Sequence, residues 1–171
     1  DAAFANIELD KDILYIAIEG RVDASNSSIV EEKIFKNRKK AASSNYGIGS
    51  DGRIGLYVDE KNRSWCSSSS ENDNRAVTIE CASDLKSPYA MNNKVYKSLV
   101  NLCVDICQRN GKKKLIWLGD KTKTLKYKPK KTEMLLSVHR WFANKSCPGK
   151  WLYDRLGTLA KDVTKKLKEG D

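Results

Sequence analysis

Histidine is almost absent from this chain: His139 is the single one in 171 residues. A site made of several imidazoles is therefore excluded, and any imidazole chemistry must fall to that one residue. Apolar runs are short, none approaching the ~18 residues that a membrane-spanning helix needs. The five cysteines include no C-x-x-C pair, and their odd number argues against a disulfide framework and leaves a thiol for a metal or the core. The chain opens at Asp1 without a methionine or a signal-peptide pattern, as expected of a processed or cut end. Acidic residues are outnumbered by basic ones, 22 to 32, for a net charge of +10. Such a surface suits an anionic partner. The runs Lys112–Lys114 and Lys121–Lys131, with Trp117 and Tyr127 between them, could meet nucleic acid, but no recognition motif accompanies them and nucleic acid is not expected. A solvated lysine-rich loop is the plainer reading of these runs.

A length of 171 residues fits one domain, spanning 1–171, that buries roughly two thirds of its unfolded surface. Phe4 to Glu19 reads as two strands around a turn at Asp10-Lys-Asp12, and the unbroken apolar run Ile13–Ile18 predicts a strand covered on both faces. Ser28-Ile-Val-Glu31 is a capping box opening a helix. Ser50-Asp-Gly52 is a turn between two short strands, and Val77–Cys81 is another strand. Val95, Leu99, Leu102 and Ile106 keep helical spacing until Gly111, with Cys103 and Cys107 facing the core. Leu115–Leu118 is a short strand or buried segment. The lysine-rich loop follows, to about Lys131. Leu152, Leu156, Leu159 and Val163 form the core stripe of a final helix. Strands and helices on one core make an α/β domain.

The most informative stretch is His139-Arg-Trp-Phe-Ala-Asn-Lys-Ser-Cys147-Pro-Gly. Imidazole nitrogen and thiolate are preferred ligands of zinc, and a Pro-Gly turn can fold the chain so that both face one point. A half-buried histidine beside a core cysteine is the alternative, and the spacing alone leaves both open.

The stretch resembles the last metal motif of the zinc-dependent N-acetylmuramoyl-L-alanine amidases, the amidase-2 family of phage endolysins, autolysins and peptidoglycan recognition proteins. Its His139, Lys145 and Cys147 stand in that family's order. Asn45–Trp65 resembles the family's central hairpin and the tryptophan after it, and Asn72–Glu80 the strand carrying its acid. The likeness runs from about Ala41 to Leu167 and is nearest to clostridial-type endolysins, the first 40 residues being divergent. It implies a single domain with a central mixed sheet flanked by helices. It also implies Zn2+ as cofactor, bacterial peptidoglycan as partner, and action at the cell wall or after secretion, with endolysin-type release from the cytoplasm as one route. A positive surface would suit teichoic-acid-bearing wall. By the same resemblance His139 and Cys147 would bind zinc, Glu80 would be the catalytic acid/base, Lys145 would face the oxyanion, and Tyr46, Trp65 and Trp141 would line the substrate groove. The bond cut would join N-acetylmuramic acid to the L-alanine of the stem peptide.

Two departures from the pattern lie early in the chain. Where the family's opening core strand ends in a histidine, this chain has Glu19-Gly20-Arg21, and Asn45 stands where many relatives carry another histidine. A carboxylate is an acceptable zinc ligand, so Glu19 would complete a Glu/His/Cys site. Alternatively Arg21 pairs with Glu19 and the domain binds wall fragments, or another anionic partner, without hydrolysing them. Ile7–Asn26 also resembles the first hairpin of STAS domains, but no counterpart of their phosphorylated segment follows.

Overall fold

The computed structural model describes residues 13–21, 44–62, 64, 66–67 and 69–170, with backbone alone for Arg21 and Ser70. Among them the strands are β1 (Tyr15–Arg21), β2 (Tyr46–Ile48), β3 (Ile54–Leu56), β4 (Ala76–Ala82), β5 (Lys114–Ile116) and β6 (Glu133–Val138). The helices are α1 (Ser70–Asp73), α2 (Asn93–Arg109), α3 (Lys121–Lys126), α4 (Lys150–Tyr153) and α5 (Leu156–Glu169), with a 3-10 turn at His139–Trp141. The strands form one mixed sheet in the order β3-β2-β4-β1-β6-β5. Every pairing is parallel except the β2–β3 hairpin.

The apolar run of β1 takes the central position that such a run requires, with β4 on one edge and β6 on the other. One face of the sheet is fully apolar. Ile16, Ile18, Val77, Ile79, Met134, Leu136 and Val138 pack there against Val95, Leu99, Leu102 and Ile106 of α2 and Leu156, Leu159 and Val163 of α5. The helical spacing seen in the sequence is this buried stripe. α2 starts where the Asn92 side chain accepts from the Val95 N–H and gives way at Gly111, whose φ of +67° suits a residue without a Cβ.

The opposite face carries a smaller apolar cluster of Tyr15, Ala17, Ala76 and Leu135 and, beside it, a polar region. Thr78 and Ser137 point into it and are fully buried, so their hydroxyls must find partners inside the protein. The Asn45 side chain accepts from the Thr78 N–H at 2.9 Å and donates to the Val58 carbonyl at 3.0 Å. Ser64 meets the Thr78 hydroxyl at 2.6 Å. The Ser137 hydroxyl donates to Asn72 Oδ1 at 3.0 Å, and Asn72 Nδ2 in turn donates to Ser67 Oγ at 2.9 Å. The Asp73 carboxylate accepts from the Cys66 and Ser67 N–H groups at 3.2 and 3.1 Å and from the Ser67 hydroxyl at 2.6 Å. This network ties the segment carrying Cys66 down onto β4 and β6.

Three parts of the chain differ from the sequence expectations. The lysine-rich stretch is not a plain loop: Asp120 Oδ1 accepts from the Lys123 N–H and caps α3. β6, which the sequence reading passed over, is buried along its whole length between β1 and β5. Its apolar stretch is too short for periodicity to separate strand from helix. The final helix is two, broken between Tyr153 and Leu156, although Leu152, Leu156, Leu159 and Val163 all reach the core as expected. The strand expected before Asp10 and the capping box at Ser28–Glu31 lie outside the described residues. No described helix is long and apolar enough to cross a membrane.

Leu99 is fully buried between the sheet and α5. Leu99→Ala should therefore lower the unfolding free energy by about 2–5 kcal/mol, measured by urea denaturation at constant m-value. A change below about 1 kcal/mol would contradict this packing.

Candidate metal centre

β1 and β4 run in a register that sets Glu19 beside Glu80. Side chains alternate along a strand, so both carboxylates leave the apolar core and enter the polar face near the strands' C-terminal ends. Glu19 is only 3% exposed, and Glu80 is half-buried. β6 ends at Val138, and the 3-10 turn that follows delivers His139, itself 9% exposed. Nδ1 of His139 lies 3.2 Å from Glu19 Oε2.

Cys147 reaches the same point by a tight turn. The Gly149 N–H donates to the Ser146 carbonyl at 2.7 Å, and the Cys147–Pro148 peptide is cis. Arg140 clamps the turn, its guanidinium donating to the carbonyls of Ser146 at 2.8 Å and Cys147 at 3.3 Å. The thiol of Cys147 donates to the Gly20 carbonyl at 3.0 Å. Gly20 is needed for that approach, because a Cβ on it would run into the carbonyl of Pro148. At Gly149, φ is +88° and a Cβ would lie 2.7 Å from Tyr89 Cβ, so glycine is required there too.

The donor atoms of Glu19, His139 and Cys147 lie within 4.8 Å of one another, and those of Glu19, Cys66 and Glu80 form a second such group. Cys66 Sγ donates to Glu80 Oε1 at 3.9 Å. Burial pushes the Glu19 carboxyl up to about 8, against smaller opposing effects of the neighbouring Glu80 and Cys66 side chains. Burial, then the charges of Glu80 and Glu19, push the Cys147 thiol up to about 12. Burial also raises the Cys66 thiol and lowers His139. Without a cation these groups are held mainly in their neutral forms, and a bound divalent ion reverses that preference. The first group fits zinc by its chemistry: one imidazole nitrogen, one sulfur and one carboxylate oxygen leave a tetrahedral position open. Glu19 Oε1 is buried and finds no hydrogen-bond partner among the described residues, a want that a cation would meet.

The remaining residues named from the sequence are placed as follows. Lys145 is exposed on the loop leading to Cys147, and its charge acts on both His139 and Cys147. Trp141 is half-buried and stacks on Trp117 at 5.1 Å, with Tyr153 edge-on to Trp117. Tyr46 is not gathered with the donors. It pairs with Ile79 rather than Glu80, so its ring joins the helix-covered face, and its hydroxyl donates to Glu60 at 2.8 Å beside Arg109. Trp65 and the side chain of Arg21 lie outside the described residues. Sequence reasoning missed Cys66, Gly20 and Arg140. The odd number of cysteines was the only signal for the first, and nothing in the local pattern marked the other two.

Comparison with known proteins bears on the family and the fold. Residues 10–150 match the family model described as N-acetylmuramoyl-L-alanine amidase, and the match reaches back well before Ala41 to take in β1. No curated protein matches the sequence. Among solved structures, N-acetylmuramoyl-L-alanine amidase LysC from Clostridium intestinale is similar with a TM-score of 0.63 at 14% identity, over 98% of this chain and 94% of that one. The endolysin of Thermus scotoductus bacteriophage Ph2119 is similar with a TM-score of 0.62 at 14% identity, over 91% of this chain and 88% of its own. The Staphylococcus aureus hydrolase AmiA gives 0.60 at 14% identity, over 93% and 76%. At such identities the likeness is one of fold.

The Gly20–Pro148 contact makes a testable demand. Gly20→Ala should destabilise the protein by about 1–3 kcal/mol and weaken zinc binding measured by competition with a chromophoric chelator, because the Cys147 turn must move away from β1. Unchanged affinity would show that this approach does not position the thiol.

Proposed function

The chain belongs to the N-acetylmuramoyl-L-alanine amidase family, and from that premise we propose that it hydrolyses the amide between N-acetylmuramic acid and the L-alanine of the peptidoglycan stem peptide, using zinc held by Glu19, His139 and Cys147. The observation that carries this reading is the convergence of three chemically suitable donors within 4.8 Å at the C-terminal ends of the strands. A zinc ion there would supply a Lewis acid that polarises the scissile carbonyl and the attacking water. Glu80, beside Glu19 and open to solvent on one side, takes the proton from that water and returns it to the leaving amide nitrogen. The Lys145 ammonium faces the carbonyl oxygen as it gains negative charge. Trp141 lines the groove, and the basic surface favours acidic cell-wall polymers. Action at the bacterial cell wall follows from that substrate.

A second reading rests on Glu19 itself. A carboxylate replaces a neutral imidazole, so two of three ligands are anionic and the ion's pull on water is weaker. Under this reading the domain binds peptidoglycan, or another anionic partner, without cutting it. Incubating purified cell wall with the protein and zinc decides between them. Newly exposed N-terminal alanine, lost on Cys147→Ala and on chelation, is the expected result; wall binding without release would leave the second reading.

Glu80→Gln should lower the hydrolysis rate by about 10²–10⁴-fold with little change in bound zinc. Glu19→His, which supplies a neutral donor, should raise activity, and a drop would mark the carboxylate as the working ligand. Zinc uptake should also release protons. Glu19 titrates at about 8 and Cys147 at about 12 in the metal-free protein, so at pH 7 both are protonated while His139, with its value lowered, is neutral. The affinity should therefore rise with pH by about two protons per ion near pH 7 and about one above pH 9, read by calorimetry in buffers of different ionisation enthalpy. A pH-independent affinity would exclude these ligands.

A further inference from the structure

The second donor group has no part in the reaction as derived above. Cys66 is held in place by its N–H bond to Asp73, within the buried network that binds its segment to β4. Its Sγ meets the Glu80 carboxylate, and the donor atoms of Cys66, Glu80 and Glu19 all lie within 4.8 Å of one another. Glu19 belongs to both groups. One of its oxygens faces His139, while the other, Oε1, is buried and has no hydrogen-bond partner among the described residues. Strand register sets the two carboxyl groups side by side, and a cation between them would let both ionise without mutual repulsion.

We propose that Glu19, Cys66 and Glu80 form a second site for a thiophilic divalent cation such as zinc, adjoining the first and sharing Glu19 as a bridging carboxylate. The charges balance. Glu19 and Cys147 as anions neutralise one dication beside His139, and Glu80 and Cys66 as anions neutralise another. A thiolate among the donors selects zinc over magnesium or calcium, which prefer an all-oxygen shell. A bridging carboxylate can give one oxygen to each of two ions, the arrangement of dinuclear sites with ions about 3.5–4 Å apart. The second ion has a regulatory effect that rests on the catalytic reading of Glu80: a Glu80 that ligates a cation can no longer take a proton from water. Low zinc then activates the enzyme and excess zinc inhibits it.

The test is a titration of the metal-free chain with zinc alone or cobalt alone, read by native mass spectrometry and by the sulfur-to-cobalt charge-transfer band. Two ions per chain are expected. Each should add a thiolate–cobalt band of similar size, because each site holds one cysteine. Cys66→Ser should bind one ion, with circular dichroism confirming its fold. A wild-type chain that saturates at one ion, or that gains no thiolate band with the second equivalent, would overturn the site irrespective of any activity. In the hydrolysis assay, wild-type activity should fall by about 10²-fold or more between one equivalent and excess zinc. In Cys66→Ser the ratio of the two rates should stay near one. Two bound ions without zinc inhibition would keep the site and reject its regulatory role; absence of hydrolysis at every zinc level would count against the proposed reaction and leave the stoichiometry standing.

Discussion

The pairing of Glu19 with Glu80 across the parallel β1–β4 edge is the constraint on which the centre depends. A buried carboxylate is costly unless something neutralises it, and here a second carboxylate is placed alongside by backbone register. Neither residue can turn away, because alternation along the strands commits both to the same face. Three further donors converge near that point. His139 arrives from the end of β6, Cys147 from a clamped turn, and Cys66 from a segment fastened by Asp73.

The two faces of the sheet divide the work. One is a continuous apolar layer against α2 and α5, made rigid by close packing. The other combines a smaller apolar cluster around Tyr15 and Leu135 with hydrogen bonds among Asn45, Ser64, Ser67, Asn72, Asp73, Thr78 and Ser137. A satisfied polar network of this kind holds side chains in single orientations, which a metal centre requires of its surroundings. Asn45 illustrates this: its amide closes the hairpin onto β4 by accepting from the Thr78 N–H and donating to the Val58 carbonyl.

Donor identity sets the chemical character of the centre. An imidazole, a thiolate and a carboxylate suit zinc, yet the carboxylate brings charge that a second imidazole would not. Glu19 also adjoins Cys66 and Glu80, and its Oε1 has no hydrogen-bond partner among the described residues. Electrostatics around β1 would therefore govern how strongly an ion is held at this point.

Much of this was legible from residue order. The apolar run of β1, the stripe of α2 and the hairpin around Ser50–Gly52 follow from periodicity and turn chemistry, which are local properties. The pairing of His139 with Cys147 could be anticipated because a short turn separates them. β6 and α3 escaped notice, the one because a short apolar stretch has no diagnostic period, the other because its cap lies among lysines that read as solvated loop. Cys66 and Glu80 meet Glu19 only through register and a buried hydrogen-bond network spanning distant parts of the chain. Register likewise takes Tyr46, paired with Ile79, to the helix-covered face, where its hydroxyl donates to Glu60. The residue types, and hence the chemistry on offer, belong to the sequence; which of them share one few-ångström volume was decided by strand pairing in three dimensions, because no local rule encodes contacts between residues that the chain holds far apart.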